Sequence, residues 1–246
     1  MIMLGALSVV VALLVPGFSS LSHAQSMPDD FVFLSDVDPT IRQDLRYAGS
    51  DNFTGKPLPG YETGACMVKR AVGQALQQVQ RDLASQNLSL LMLDCYRPVR
   101  AVRAMQAWSK KTVETPAQKR FYPALNRKDL FRLGYIAARS GHSTGSAVDL
   151  TLINAREDKI PRDSSADCRS PAQQGGIDMG TSYDCFDLKA HTKAASLTNA
   201  QRRSRGILVS AMARQGFVNY AREWWHFSMP GVGGITYDFT IKRVRP

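Results

Sequence analysis

Apolar positions recur with two different periods along the chain, and the switches between them outline the elements. In residues 67–86, Val68, Val72, Ala75, Leu76, Val79 and Leu83 return every three or four positions, which predicts an amphipathic helix. Residues 88–93 form a short unbroken apolar run that ends at Asp94 and reads as a buried strand. Pro98 sits at a favourable first helical position, with helix expected through 101–111. Residues 146–152 alternate: Val148, Leu150 and Leu152 fall on one face, Ala147, Asp149 and Thr151 on the other, as in a strand. A third helix is predicted over 197–215, stopped by Gly216, and short strands over 217–220, 224–229 and 235–239. Residues 120–133 fit neither period. The polar stretch up to about Ala65, with turn chemistry at 52–57, and the region 155–192 read as loop. With no internal repeat and no dividing linker, the expected architecture is a single α+β domain, a central antiparallel sheet with helices packed around it and a site in a cleft.

Residues 2–15 are a separate apolar run of 14 positions, broken by Pro16 and Gly17 and followed by Ser22-His23-Ala24. The run is short for a bilayer span and suits a secretory signal cleaved after Ala24, giving a 1–24 signal and a 25–246 domain. No Lys or Arg precedes it, and an uncleaved anchor or a buried N-terminal helix is the alternative. Export would place the chain outside the cytoplasm, in the periplasm, and would make a disulfide reading of its four cysteines reasonable. Cys168 and Cys185 flank a loop carrying Gly175, Gly176 and Gly180 and are the first candidate pair. Cys66 with Cys95 is the second, Cys95 reading equally well as a buried thiol at a strand end.

Composition narrows the function classes. The 246 residues are 44% apolar and 21% charged, which argues against disorder, collagen or coiled coil. The net charge of +10 is spread out; its densest groups are Arg202, Arg203 and Arg205, and Lys242, Arg243 and Arg245. Aromatic residues do not interleave with them, so a solvated basic face is expected rather than a nucleic-acid groove.

Three clusters carry chemistry. In Ser140-Gly141-His142-Ser143-Thr144-Gly145-Ser146-Ala147-Val148-Asp149, the two glycines let the turn fold back so that His142 approaches Asp149. An imidazole and a carboxylate make half of a zinc ligand set; otherwise they are a surface histidine and a buried, hydrogen-bonded aspartate. In Glu223-Trp224-Trp225-His226, the histidine is a possible ligand and the glutamate a base or ligand. Positions i and i+3 of a regular strand face opposite ways, so the two meet one ion only if the chain turns between them. The alternative is a tryptophan pair in the core with polar residues at its edge, and the tryptophans are core on either reading. Asp94-Cys95-Tyr96-Arg97-Pro98 lies at a strand-to-helix corner, where Arg97 either meets a substrate carboxylate or oxyanion or forms a structural pair with Asp94.

Taken together, the clusters resemble the zinc D-alanyl-D-alanine dipeptidases (VanX-type), within the wider zinc D,D-peptidases. The resemblance rests on Ser140, His142, Gly145, Ala147 and Asp149, on Glu223-Trp224-Trp225-His226, and on segments 44–57, 94–98 and 179–184 in the same order. It spans roughly residues 30 to 240. It implies His142, Asp149 and His226 as ligands of one Zn2+ per chain, Glu223 as general base and acid, and Arg97 as the group stabilising the tetrahedral intermediate. It implies Tyr47, Ser140 and Asp184 as substrate-binding residues, Asp184 facing the free ammonium. The family's best-known members lack a signal, in contrast with this chain.

The expected function is therefore hydrolysis of D-Ala-D-Ala or a closely related dipeptide. The alternatives are a D,D-carboxypeptidase or endopeptidase acting on peptidoglycan stem peptides, and a non-catalytic, zinc-stabilised envelope-binding module. The expected partner is a small D,D-dipeptide, with no nucleic acid and no stable membrane insertion after signal cleavage. The sequence specifies no oligomeric state.

Overall fold

The computed structural model describes residues 26–156, 167–170 and 177–243. The expected signal at 1–24, Gly175, Gly176 and Arg245 lie outside the described residues. In chain order the elements are β1 (Phe31–Phe33), α1 (Leu34–Val37), β2 (Arg42–Gln43), β3 (Met67–Lys69), α2 (Arg70–Ala84), β4 (Leu88–Asp94), α3 (Val99–Ser109), α4 (Pro116–Lys119), α5 (Arg127–Leu130), β5 (Ala147–Asn154), α6 (Asn199–Arg214), β6 (Val218–Asn219) and β7 (His226–Ser228). Tight 3-10 turns occur at Arg46–Ala48, Gly141–Thr144 and Leu188–Ala190.

The domain is α+β, as expected. Five strands form one sheet in the order β2-β4-β5-β7-β6, antiparallel except for the parallel edge pair β2–β4. β1 and β3 make a separate antiparallel pair. Helix α2 packs on β4 and also on α6. Its Val72, Leu76, Val79 and Leu83 are completely buried, each contributing about 1.5–3 kcal/mol of transfer free energy. Helix α6 opens with a reciprocal cap: Gln201 N donates to Thr198 Oγ1 and Thr198 N to Gln201 Oε1. It ends just before Gly216, whose φ of 84° provides the left-handed exit.

Several expectations need correction. The helix predicted from residue 67 begins at Arg70, because Met67–Lys69 pairs with Phe31–Phe33. Pro98 caps α3 instead of occupying its first turn. The stretch before Ala65 holds β1, α1 and β2 as well as loops. Trp224 and Trp225 lie in a turn, so that strand is only His226–Ser228, and residues 235–239 form no strand. Phe239 there stacks on Tyr96 at 4.1 Å, which uses its apolar surface in ring packing. Arg205 is not on a solvated face. It is buried and donates to the carbonyls of Met179 (2.7 Å), His191 (2.6 Å) and Lys189 (3.0 Å), fastening to α6 the segment that contains Asp184.

Both candidate cysteine pairs are disulfides, Cys66–Cys95 and Cys168–Cys185, each with Cα atoms 5.3 Å apart. No described helix is long and apolar enough to cross a membrane.

Candidate active site

Sheet register assembles the centre. Asp149 on β5 is flanked by Asp94 on β4 and by His226 on β7. Directly opposed residues point to the same side of a sheet with Cβ atoms about 4.5–5.5 Å apart, so one row carries all three polar groups. An irregularity in β4 between Met92 and Asp94 brings Asp94 into that row. His142 arrives by a different route. The 3-10 turn Gly141–Thr144 ends at Gly145, whose φ of 76° returns the chain to β5. A Cβ at Gly145 would lie 2.4 Å from Phe31 Cε1, so the turn needs glycine for space as well as for backbone conformation.

The result is a tight triangle of ligand-type atoms. His142 Nε2 is 3.1 Å from His226 Nδ1 and 3.2 Å from Asp149 Oδ1, and His226 Nδ1 is 2.9 Å from Asp149 Oδ1. His142 Nδ1 donates to the Cys95 carbonyl at 2.7 Å, which leaves Nε2 as a lone pair facing the triangle. Tyr183 donates to Asp149 Oδ2 at 3.0 Å, freeing Oδ1 for the two imidazoles. One shared proton satisfies only two of three such acceptors, whereas a cation satisfies all of them. Atoms at zinc-ligand distances of about 2.0–2.1 Å in tetrahedral array lie roughly 3.4 Å apart, close to the observed edges. The electrostatics agree. Although burial opposes its charge, His142 and His226 hold Asp149 well below the usual carboxylate range. Burial likewise opposes charge on His226, yet Asp149 lifts its pKa. His142, Asp149 and His226 form the potential metal cluster found among the described residues.

Glu223 reaches the same centre through a turn, resolving the i, i+3 difficulty: His226 N donates to the Glu223 carbonyl at 3.2 Å, and strand β7 begins only there. Glu223 Oε2 lies 3.9 Å from His226 Nδ1. Loss of solvation pushes its carboxyl up to about 7, against the pull of His226 and Arg97 and with the added push of Asp149. The tryptophans between them are core, as expected, and Trp224 Nε1 donates to Thr181 Oγ1 at 2.8 Å.

Arg97 forms the structural pair and also borders the cavity. Its Nε and Nη2 reach Asp94 Oδ2 at 2.9 and 2.8 Å, so the structural pair exists. Its Nη2 is also 3.6 Å from Asp149 Oδ2, its guanidinium lies 4.8 Å from the centre of the Tyr47 ring, and it lines the cavity. Tyr47 donates to Asp184 Oδ2 at 2.8 Å. Burial, reinforced by Asp149, holds the Asp184 carboxyl well above its ordinary range, although the Tyr47 hydrogen bond and Arg97 oppose this. Ser140 caps the 3-10 turn, its Oγ accepting from His142 N at 3.3 Å, and it too lines the cavity. All eight expected site residues border this one cavity of about 200 Å³.

Sequence reasoning passed over Tyr183, which orients Asp149, and Tyr61, which donates to Asp94 Oδ1 at 2.7 Å. Tyr183 adjoins Asp184 within segment 179–184, and that adjacency was the available signal.

The family described as D-Ala-D-Ala dipeptidase, peptidase M15, matches residues 27–245. The D-alanyl-D-alanine dipeptidase of Enterococcus faecalis is 33% identical over 203 residues, covering 82% of this chain and 93% of the relative. That of Streptomyces coelicolor is 36% identical over 203 residues, with the same coverage of 82% and 93%. That of Escherichia coli is 29% identical over 202 residues, 82% and 85% of the two chains. Among solved structures, the vancomycin-resistance D,D-dipeptidase VanXYg with a D-Ala-D-Ala phosphinate analogue aligns at TM-score 0.34 and 18% identity, over 82% of this chain and 66% of that one. A variant of the D,D-pentapeptidase VanY with Zn(II) aligns at TM-score 0.38 and 12% identity, over 71% and 79%. The chain therefore belongs to the D-Ala-D-Ala dipeptidase family, peptidase M15, and is a hydrolase of the metallopeptidase class.

Proposed function

We propose that this enzyme is an exported, zinc-dependent dipeptidase that cleaves D-Ala-D-Ala or closely related dipeptides. The observation that carries the reading is the convergence of His142 Nε2, Asp149 Oδ1 and His226 Nδ1, with Glu223 beside them. These three residues would hold one Zn2+ per chain. A zinc ion bound there supplies Lewis acidity at the scissile carbonyl and lowers the pKa of a water to about 7.

The chain's own residues do the rest. Glu223, whose burial favours accepting a proton, takes that of the attacking water and passes it to the leaving amine; one group serves as base and then as acid. Arg97, held by Asp94, presents fixed positive charge to the developing oxyanion, and such a donor is typically worth about 3–4 kcal/mol. Asp184, buried and bonded to Tyr47, receives the substrate ammonium as its compensating charge, and Ser140 meets the carboxylate end. A peptide blocked at its N-terminus leaves Asp184 without that charge and is disfavoured. The cavity of about 200 Å³ is smaller than the roughly 300–1,000 Å³ usual for drug-sized ligands, which also favours a dipeptide over a stem peptide.

Glu223→Ala is expected to keep bound zinc and the melting transition while losing about 10²–10⁴-fold in kcat. Unchanged turnover would remove Glu223 from its role. Wild-type enzyme that prefers an N-acylated pentapeptide to free D-Ala-D-Ala would be a D,D-carboxypeptidase, and one that binds zinc but turns over neither would be a binding module.

Residues 1–24 act, in this reading, as a cleaved signal that delivers residues 25–246 to the periplasm. There the enzyme would recycle dipeptides released from the wall, with no nucleic-acid partner and no lasting membrane insertion. Fractionation with N-terminal sequencing is expected to find a periplasmic chain starting at Gln25; a cytoplasmic chain retaining Met1 would refute export.

A further inference from the structure

Two arginines border the cavity, and they differ in what they are tied to. Arg97 is committed to Asp94 through two nitrogens. Arg139 is exposed, and among the described residues it has no hydrogen bond or ion pair. It lies in segment 134–141, which forms one wall of the cavity and is anchored to α3 where Gln106 Nε2 donates to the Ala137 carbonyl at 3.2 Å. Arg139 is the charged residue of that wall. It immediately precedes Ser140, and Ser140 caps the turn that carries His142.

The acidic groups of the cavity enter from other elements. Asp184 connects with the metal-type triangle through Tyr47 and Arg97, and Glu223 through the turn before β7. An uncommitted guanidinium on the Ser140 wall and a buried carboxylate on the Tyr47 side are complementary to a zwitterion. A free dipeptide has this form, with an ammonium at one end and a carboxylate at the other. Guanidinium binds carboxylate through two parallel N–H···O bonds, which one serine hydroxyl does not match.

We propose that Arg139 recognises the free C-terminal carboxylate of the substrate and thereby selects peptides that end one residue after the scissile bond. This extends the dipeptidase reading and rests on it. Arg139 is a binding residue: it contributes equally in ground and transition states, so its loss raises KM and leaves kcat nearly unchanged.

The test pairs D-Ala-D-Ala with its C-terminal amide in wild type, Arg139→Ala and Arg139→Lys. Wild type is expected to favour the acid. Arg139→Ala is expected to raise KM for the acid about 10- to 100-fold, the range of a charge-assisted hydrogen bond, and to treat acid and amide alike. Arg139→Lys, which keeps charge but not the fork, is expected to fall between. Calorimetric binding of a phosphinate analogue of D-Ala-D-Ala and of that analogue's amide gives the same comparison without turnover. Arg139 is exposed, so the variants are expected to fold, and zinc content and melting confirm it. Equal losses for acid and amide, or no loss for either, would overturn the assignment of Arg139. Absence of dipeptide turnover in wild type would instead overturn the dipeptidase reading, with the binding comparison still deciding Arg139.

Discussion

Asp94→Ala removes the acceptor shared by two nitrogens of Arg97 and, on the other oxygen, by the Tyr61 hydroxyl. The contacts are 2.9, 2.8 and 2.7 Å, Asp94 is fully buried, and the Arg97 side chain is 13% exposed. Removing one partner of a buried ion pair costs about 3–5 kcal/mol, because the remaining charge is stranded. The stranded Tyr61 hydroxyl adds roughly 1–3 kcal/mol. Arg97 retains some access to the cavity, which keeps the first contribution at its lower end, so about 4–6 kcal/mol is expected in total. That approaches the whole stability of many domains, about 5–15 kcal/mol. Asp94→Asn keeps the shape and an acceptor for Arg97 while the amide faces Tyr61, whose hydroxyl then accepts; about 1–2 kcal/mol is expected as charge assistance is lost. Urea unfolding followed by the fluorescence of the buried Trp108, Trp224 and Trp225 measures both variants. An Asp94→Ala midpoint within about 1 kcal/mol of wild type, the range of ordinary substitutions, would refute the view that this carboxylate neutralises Arg97.

Tyr183→Phe removes the donor on Asp149 Oδ2 and is expected to weaken zinc binding about 10- to 100-fold with little change in fold; competition against a chelator measures it, and unchanged affinity would contradict the orienting role. Gly145→Ala combines a left-handed backbone with a 2.4 Å approach to Phe31, for an expected loss of roughly 2–5 kcal/mol in urea unfolding. A loss below about 1 kcal/mol would show that the turn has another way round.

The elements readable in advance were those whose periodicity reflects a single large neighbour. Helix α2 is one, with four fully buried apolar residues on its packed face. Met67–Lys69 looked helical because Val68 lies one turn before Val72, but a three-residue strand leaves almost no period of its own, and its partner β1 is more than thirty residues away. Residues 235–239 failed in the opposite sense: their alternation serves ring packing against Phe31 and Tyr96 instead of a ladder. The candidate site residues were named through the family resemblance, and the structure brings them around one cavity. The turn joining Glu223 to His226 and the directions of the Tyr61 and Tyr183 hydroxyls were not legible, since tertiary packing sets them and leaves no local pattern.

The two cystine bridges sit where the chemistry is. Cys95 lends its carbonyl to His142 and directly follows Asp94, and Cys185 directly follows Asp184. With separations of 29 and 17 residues, each bridge restricts the unfolded chain by about 3–4 kcal/mol in the loop-entropy picture. A thiol reductant added during purification would therefore remove both constraints at once, and preparations handled that way would report an enzyme more easily unfolded than the oxidised one.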